Sequence, residues 1–451
     1  MSIFNNNLLA GAGAQSSGGA TYSINQSIRF NAADSAYLNR TPSSAGNQKT
    51  WTLSWWFKRG NLATFYSFFN RRTGSGGATN VIMYLRTDDT LEFYISNGST
   101  IDNPITTRVF RDTAAWYHCV ATLDTTNVAV EERFRVYING VRETLTGDTF
   151  LYDTNYLWND AQQHVIGRQN YYNNYYLDAY MAEIVFIDGT SLNADSFGEY
   201  NSSGIWVPKN INDQSFTFGT NGFYIDGRDS ADLGDDESGQ GNDFTTSGLA
   251  SDDQKTDSPT NNHATWNPLT NSAQVYTNGN LNAATASSAW KGGLTTAQVP
   301  LNSGTWYYEI YVDSAGASSG QFSIGWAESN RSVSDDNSSG DTEGWVTYAI
   351  NGSYYSNGGS GSLGATYTTG DVIGCKIDTD SSTNNVEFYK NGASQGTRSQ
   401  AFNTGGTGFI SPYILLYGTR NATARFAQAE WTQTPSGITT SNAINTKNIG
   451  S

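Results

Sequence analysis

Six aspartates and an asparagine crowd one short stretch of this chain: Asp226, Asp229, Asp232, Asp235, Asp236 and Asp243, with Asn242 among them. Carboxylate and amide oxygens at that density on a flexible loop offer the hard ligands that calcium prefers. The spacing is not that of an EF-hand loop, and a merely solvated acidic loop is the alternative reading. A second cluster, "RQNYYNNYYLDAY" at 168–180, gathers Tyr171, Tyr172, Tyr175 and Tyr176 around Asn173 and Asn174. Aromatic faces stack on sugar rings and neighbouring amides hydrogen-bond to hydroxyls, so these six residues form a candidate carbohydrate site. Core packing or a subunit interface would use the same side chains.

Catalytic chemistry is harder to find. Hydrolysis of a glycosidic bond needs two carboxylates flanking the scissile bond. Glu309 in "YYEIYV" is a lone carboxylate within a strand pattern, and "EERF" at 131–134 reads as a solvated strand entrance. No catalytic residue is assigned, and the chain is read as a non-enzyme. His118, His164 and His263 are scattered, which favours structural roles over zinc ligation. Cys119 and Cys375 each fall inside an apolar strand pattern, as two separate buried thiols, one per domain. No glycine-rich stretch follows a strand and opens a helix, so phosphate cradles are absent from the reading.

The elements that must position these residues are strands. "RVYING" at 135–140 and "VEFYKNG" at 386–392 each run an alternating strand into Asn-Gly, the pair that supplies two positive-φ positions to a type I′ hairpin. "LEFYISNG" at 91–98 is a third near-copy. With 47 Gly, 27 Tyr, 21 Phe and 12 Trp among 451 residues, the composition is that of a turn-rich, aromatic-rich all-β protein. No stretch sustains a helical period, and "LNADSFGEY" at 192–200 reaches two helical turns at most. The net charge of −16 disfavours nucleic acid and anionic lipid as partners. No long apolar run predicts membrane insertion, and the first residues lack the pattern of a secretory signal, so conventional export is not expected.

Along the chain, residues 1–27 read as an extended arm with a small apolar cluster, Phe4, Leu8 and Leu9, that docks on a partner. Residues 28–190 make one sandwich-sized unit, and 191–268 an acidic connector that partly joins the second sandwich. Residues 269–431 make that second unit, and 432–451 a polar tail. The expected fold is all-β: two antiparallel β-sandwiches of jelly-roll, concanavalin A-like type in tandem, behind the arm.

The first unit resembles the laminin G-like, concanavalin A-type jelly rolls through "SIRFNAADSAYLNR", "WTLSWWFKRG", "WYHCVATLD", "RVYING", "HVIGR" and "LDAYMAEIVFIDG", with Ala179 where such domains often carry Gly. The second resembles a SPRY domain through "GTWYYEIYV", "FSIGWA", "GWVTYAINGSYY", "GDVIGCKID", "VEFYKNG" and "ISPYILL". The Glu-x-Asp-x-x-Glu strand cluster of hydrolytic jelly rolls does not occur. "DDESGQGNDF" at 235–244 is similar to a stretch that opens many jelly rolls, which would place it at the start of the second sandwich. The whole layout, with "FNNNLLAG" at its head, resembles virion structural proteins of tailed bacteriophages. That resemblance implies a protein made in the host cytoplasm and carried on the virion surface. It would be held to other tail or capsid proteins through Phe4, Leu8 and Leu9 and present its sandwiches to host glycans. A homotrimer is the usual habit of such appendages. A capsid decoration protein is the alternative placement, and a carbohydrate-active enzyme the alternative class.

Overall fold

In "TWTLSWWFKR", Trp51, Leu53, Trp55 and Phe57 alternate with Thr52, Ser54, Trp56 and Lys58, yet almost every residue of the strand Thr50–Arg59 is buried. Both faces of the strand are covered, and the two coverings define the first unit. The computed structural model of the chain describes residues 22–74, 77–147, 149–169, 175–270, 274–316, 322–331, 333, 344–357, 359–380, 384–402 and 408–449. Phe4, Leu8, Leu9, Tyr171, Tyr172, Asn173 and Asn174 lie outside the described residues. Two compact units divide at Thr260/Asn261.

In the first unit, Thr50–Arg59 sits between Tyr117–Asp124 and Ala179–Asp188 in one antiparallel sheet. A second sheet sets Leu91–Ser96, Asn80–Leu85, Tyr66–Arg72, His164–Ile166 and Tyr37–Arg40 side by side. Trp51, Leu53, Trp55 and Phe57 meet Phe68, Phe69, Met83 and Phe93 in the core between the sheets. Each such side chain taken fully out of water contributes about 2–3 kcal/mol. On the outer face of the first sheet, Trp56, Val120 and Val185 meet Ala194, Phe197, Trp206 and Ile211 in a separate apolar cluster. Residues 192–211 therefore act as a lid, which is why "LNADSFGEY" forms no helix longer than the 3-10 turn Ala194–Ser196 before the strand Gly198–Tyr200.

The acidic stretch corrects the expected division of the chain. Rather than linking to or opening the second sandwich, it completes the first: Phe223–Ile225 pairs with Ala179–Asp188, Thr245–Ser247 with Tyr37–Arg40, and Gln254–Lys255 with Ser27–Phe30. Its few apolar residues, Phe223, Ile225, Leu233 and Phe244, all enter the main core. Its carboxylates Asp253 and Asp257 pair with the buried cations Arg29 and Lys58, at 2.7 and 2.8 Å. Where the chain comes in, Ile24 donates its N–H to Thr260 Oγ1 and accepts from the hydroxyls of Ser258 and Thr260, at 2.6–3.0 Å.

The second unit repeats the plan. Thr305–Ser314 lies between Val372–Asp378 and Arg420–Arg425 in one sheet, and Phe322–Glu328 between Phe409–Leu416 and Trp345–Ala349 in the other. Trp306, Tyr308, Trp326, Phe388 and Ile414 fill the space between. The unit begins before residue 269, since Ala264 and Trp266 are in this core, and the stretch 432–451 is no free tail, since Ile444 is there too.

Two of the three similar hairpins form as expected. Asn139 and Gly140 have φ of 48° and 79°, and Asn391 and Gly392 have 50° and 81°, the two positive values a type I′ turn requires. The third differs. Asn97 keeps a negative φ, and its side-chain oxygen accepts from the N–H groups of Ser99 and Thr100, tying a longer turn.

Candidate functional site

Alternation along the second sheet of the first unit fixes what faces outward. Val81, Met83 and Leu85 enter the core, so Tyr84 points away from it, and Leu38 places Tyr37 on the same outer face. Ladder register puts Tyr84 opposite Ser67 and Leu38 opposite Ile166, which brings Tyr84 and Tyr37 to one end of four neighbouring strands. Tyr175 and Tyr176 complete a patch there. Phe65 stacks on Tyr84 at 4.2 Å between ring centroids and meets Tyr175 at a tilt at 4.4 Å, while Tyr176 lies 6.4 Å from Tyr37. The Arg168 guanidinium sits 3.7 Å over the Tyr37 ring, a cation–π contact. All five rings are partly exposed. Beside them, Gln163 donates to Asn39 Oδ1 at 3.1 Å and Arg86 to Glu92 at 2.6 Å. Burial and a hydrogen bond to Glu92 push the Tyr84 phenol upward, so it remains a donor.

Of the expected carbohydrate residues, Tyr175 and Tyr176 thus belong to one aromatic platform. Tyr37, Phe65, Tyr84 and Arg168 were missed. The signal was available for the two strand tyrosines: "VIMYL" and "AYLNR" alternate so that each tyrosine falls on the face away from Val81, Met83 and Leu85 or from Leu38. Nothing local marks Phe65, whose partners Tyr84 and Tyr175 lie on the next strand and in a remote loop.

The aspartates of the acidic loop are engaged in local capping. Asp226 accepts from the Arg228 backbone at 2.8 Å and from its guanidinium at 2.6 Å. Asp229 and Asp232 accept from the N–H groups of Ala231 and Gly234. Asp236 takes N–H bonds from Tyr224, Ser238 and Asn242, all within 2.8–2.9 Å, and Asp243 takes one from Asp236. Burial and the charges of Asp243, Asp232 and Asp229 hold the Asp235 carboxyl above its usual range. Among the described residues, no three His, Cys, Asp or Glu side chains come together as a metal-ligand group.

The remaining sequence candidates are bound into the fabric of the sandwiches. Trp206 Nε1 donates to His118 Nδ1 at 3.0 Å; indole is only a donor, so the His118 proton sits on Nε2, 2.8 Å from Ser54 Oγ. His164 Nε2 accepts from the Asn159 N–H at 3.1 Å, leaving Nδ1–H for the Gln162 carbonyl. Burial lowers these two rings to about 3 and about 4. Cys119 and Cys375 are buried free thiols, pushed up by burial. Glu309, wholly buried, accepts from the N–H groups of Thr432 and Gln433 and from the Tyr307 hydroxyl, which ties the end of the chain to its strand.

One further carboxyl escaped sequence reasoning. Glu183 interrupts the register of Ala179–Asp188 with a φ of +49°, and this bulge turns its side chain into the outer layer. Tyr22 and Tyr224 donate their hydroxyls to it at 3.0 and 2.7 Å. Burial, with the Asp226 charge adding to it, raises Glu183 to about 7 against the lowering effect of those two bonds.

Comparison with known proteins agrees with this architecture. Residues 31–196 match the concanavalin A-like lectin/glucanases superfamily, and residues 305–429 match the SPRY domain family. No curated protein matches the chain. Among solved structures, the SPRY domain of human HERC1 is 20% identical, covers 36% of this chain and 98% of its own, and has a TM-score of 0.30. Domains LG4-5 of the mouse laminin alpha1 chain are 9% identical over 89% of this chain and 88% of theirs, with a TM-score of 0.33. A heptameric SAP-like pentraxin from Limulus polyphemus is 14% identical over 38% of this chain and 80% of its own, with a TM-score of 0.28. The chain therefore carries a laminin G-like domain of the concanavalin A-like superfamily followed by a SPRY domain, both all-β.

Proposed function

We propose that the chain is a non-enzymatic adhesion protein that holds glycans on the aromatic platform of its laminin G-like domain. It would do so from the surface of a tailed-phage virion. The platform carries the reading: partly exposed rings of Tyr37, Phe65, Tyr84, Tyr175 and Tyr176 lie together beside the amides of Asn39 and Gln163. Flat apolar faces next to hydrogen-bonding groups suit sugar rings, whose two faces differ in the same way. The virion placement rests on the phage-like layout of the sequence, with the arm holding Phe4, Leu8 and Leu9 as the expected anchor.

Binding of the purified protein to immobilised host surface polysaccharide tests the adhesion. Tyr175→Ala removes one stacking face, worth about 1 kcal/mol, and is expected to weaken binding by about fivefold at unchanged melting temperature. Unchanged affinity would remove the platform from the proposal. Release of soluble oligosaccharide during the same incubation would overturn the non-enzymatic reading. Imaging particles that lack the protein, with adsorption measured on the same preparation, tests the virion role: intact density at head and tail rejects it.

A further inference from the structure

On the opposite sheet of the first unit, the lid segment leaves an open groove of about 410 Å³ against the Asn139-Gly140 hairpin. Its walls are Tyr137, Asn193, Glu199, Tyr200, Trp206 and Lys209. We propose that this groove is a second binding site, for a neutral pyranose sugar, separate from the tyrosine platform. Neither family match nor the platform assigns it a role.

The aromatic corner is preorganised. Gly198–Tyr200 and Trp206–Pro208 form a two-stranded ribbon in which Tyr200 lies directly across from Trp206. Their rings meet at 5.0 Å and 70°, making two walls nearly at right angles. The Tyr200 hydroxyl is held by the Asn139 carbonyl at 3.0 Å, yet the residue is 53% exposed and keeps a free ring face. Trp206 is held by its bond to His118 and by glycines on two sides: a Cβ at Gly140 or at Gly198 would meet the indole at 2.4 or 2.6 Å. A ring that is already fixed loses little conformational freedom when a ligand stacks on it.

The polar walls define the ligand class. Asn193 Oδ1 is occupied by the Arg135 guanidinium at 2.9 Å and the Tyr137 hydroxyl at 3.0 Å. Its Nδ2 has no hydrogen-bond partner among the described residues, so that amide is available as a donor. Lys209 and Glu199 lie 3.9 Å apart and Asp195 adds a second carboxylate to the lining, so the groove presents both signs of charge with a small negative excess. An anion would meet Glu199 and Asp195 unfavourably, and a cation would have to displace Lys209 from Glu199. A polyhydroxylated neutral ring can give to the carboxylates, accept from the ammonium and the amide, and lay its C–H face on the exposed ring of Tyr200, which the buried Trp206 backs. The volume lies at the small end of the range for small-molecule sites, which suits one or two sugar units.

Saturation-transfer NMR on the full chain tests this, with methyl glucoside, methyl galactoside, methyl mannoside and N-acetylglucosamine as probes at millimolar concentration. At least one probe is expected to receive saturation from the wild type. In Tyr175→Ala, which impairs the platform, that signal should persist, and adding Tyr200→Ala or Lys209→Met to that variant should lower it at least fivefold at unchanged melting temperature. Absence of transfer to all four probes overturns the proposal. So does a signal that survives Tyr200→Ala and Lys209→Met in the Tyr175→Ala background, as does one already lost in Tyr175→Ala alone, which locates sugar binding on the platform. Should Tyr200→Ala fold poorly, Lys209→Met decides by itself.

Discussion

Glu183 titrates where few carboxyls do, and the sign of its effect on stability follows from its surroundings. Its folded value of about 7 stands above the ordinary 4.5, so the folded state holds its proton more tightly than the unfolded chain does. The stability this brings is complete below 4.5 and is lost as pH rises towards 7, an effect on the order of 3 kcal/mol. His118 and His164 work in the opposite direction: their lowered values favour the fold above 6.5, and that advantage is lost as pH falls. Glu183→Gln removes only the first effect. Its melting temperature relative to wild type should therefore climb between pH 4.5 and 7.5, and parallel melting profiles would refute the buried-proton account. The carboxyl was invisible in "AYMAEIVFID", where it reads as an ordinary polar residue on an alternating strand. What perturbs it is a bulge and two tyrosines from remote parts of the chain, and no local pattern encodes either.

The twin hairpins carry different loads. Alanine at Gly392 would meet its nearest neighbour, Gln433, at 3.4 Å and suffers chiefly from the positive φ, a cost of about 1 kcal/mol. Alanine at Gly140 has the same backbone penalty and in addition drives its methyl into Trp206. Displacing the indole breaks its bond to His118, so Gly140→Ala should cost about 2–3 kcal/mol in urea unfolding. Equal costs for the two variants would mean that Trp206 has room to yield. Both turns were legible in the sequence because Asn-Gly acts through its own two residues. The lid was not: "LNADSFGEY" takes its shape from the apolar face of Trp56, Val120 and Val185 beneath it. Likewise Tyr175 and Tyr176 could be singled out from a local cluster, whereas their companions Tyr84 and Tyr37 share a patch only once four strands are aligned.

For the molecule as a whole, the tandem all-β plan could be read from the order of strand phrases, but the division between units could not. The acidic stretch has the composition of a linker, and its membership in the first sandwich depends on pairing with strands far earlier in the chain, Lys255 standing opposite Ser27. A fragment of residues 18–260 should consequently unfold cooperatively, while 18–196, which includes the whole superfamily match, should be degraded readily by limited proteolysis. The shorter piece lacks Phe223, Ile225, Leu233 and Phe244 from its core and leaves Lys58 buried without Asp257. Resistance of 18–196 to protease would show the acidic stretch to be dispensable. The bonds of Ile24 to Ser258 and Thr260 have a consequence of another kind. They make the two ends of this sandwich a single place, so the domain occupies its host chain as a ring occupies a clasp. Such a unit can be moved between proteins by opening the recipient at one surface loop, with no need to span a distance between two points of attachment.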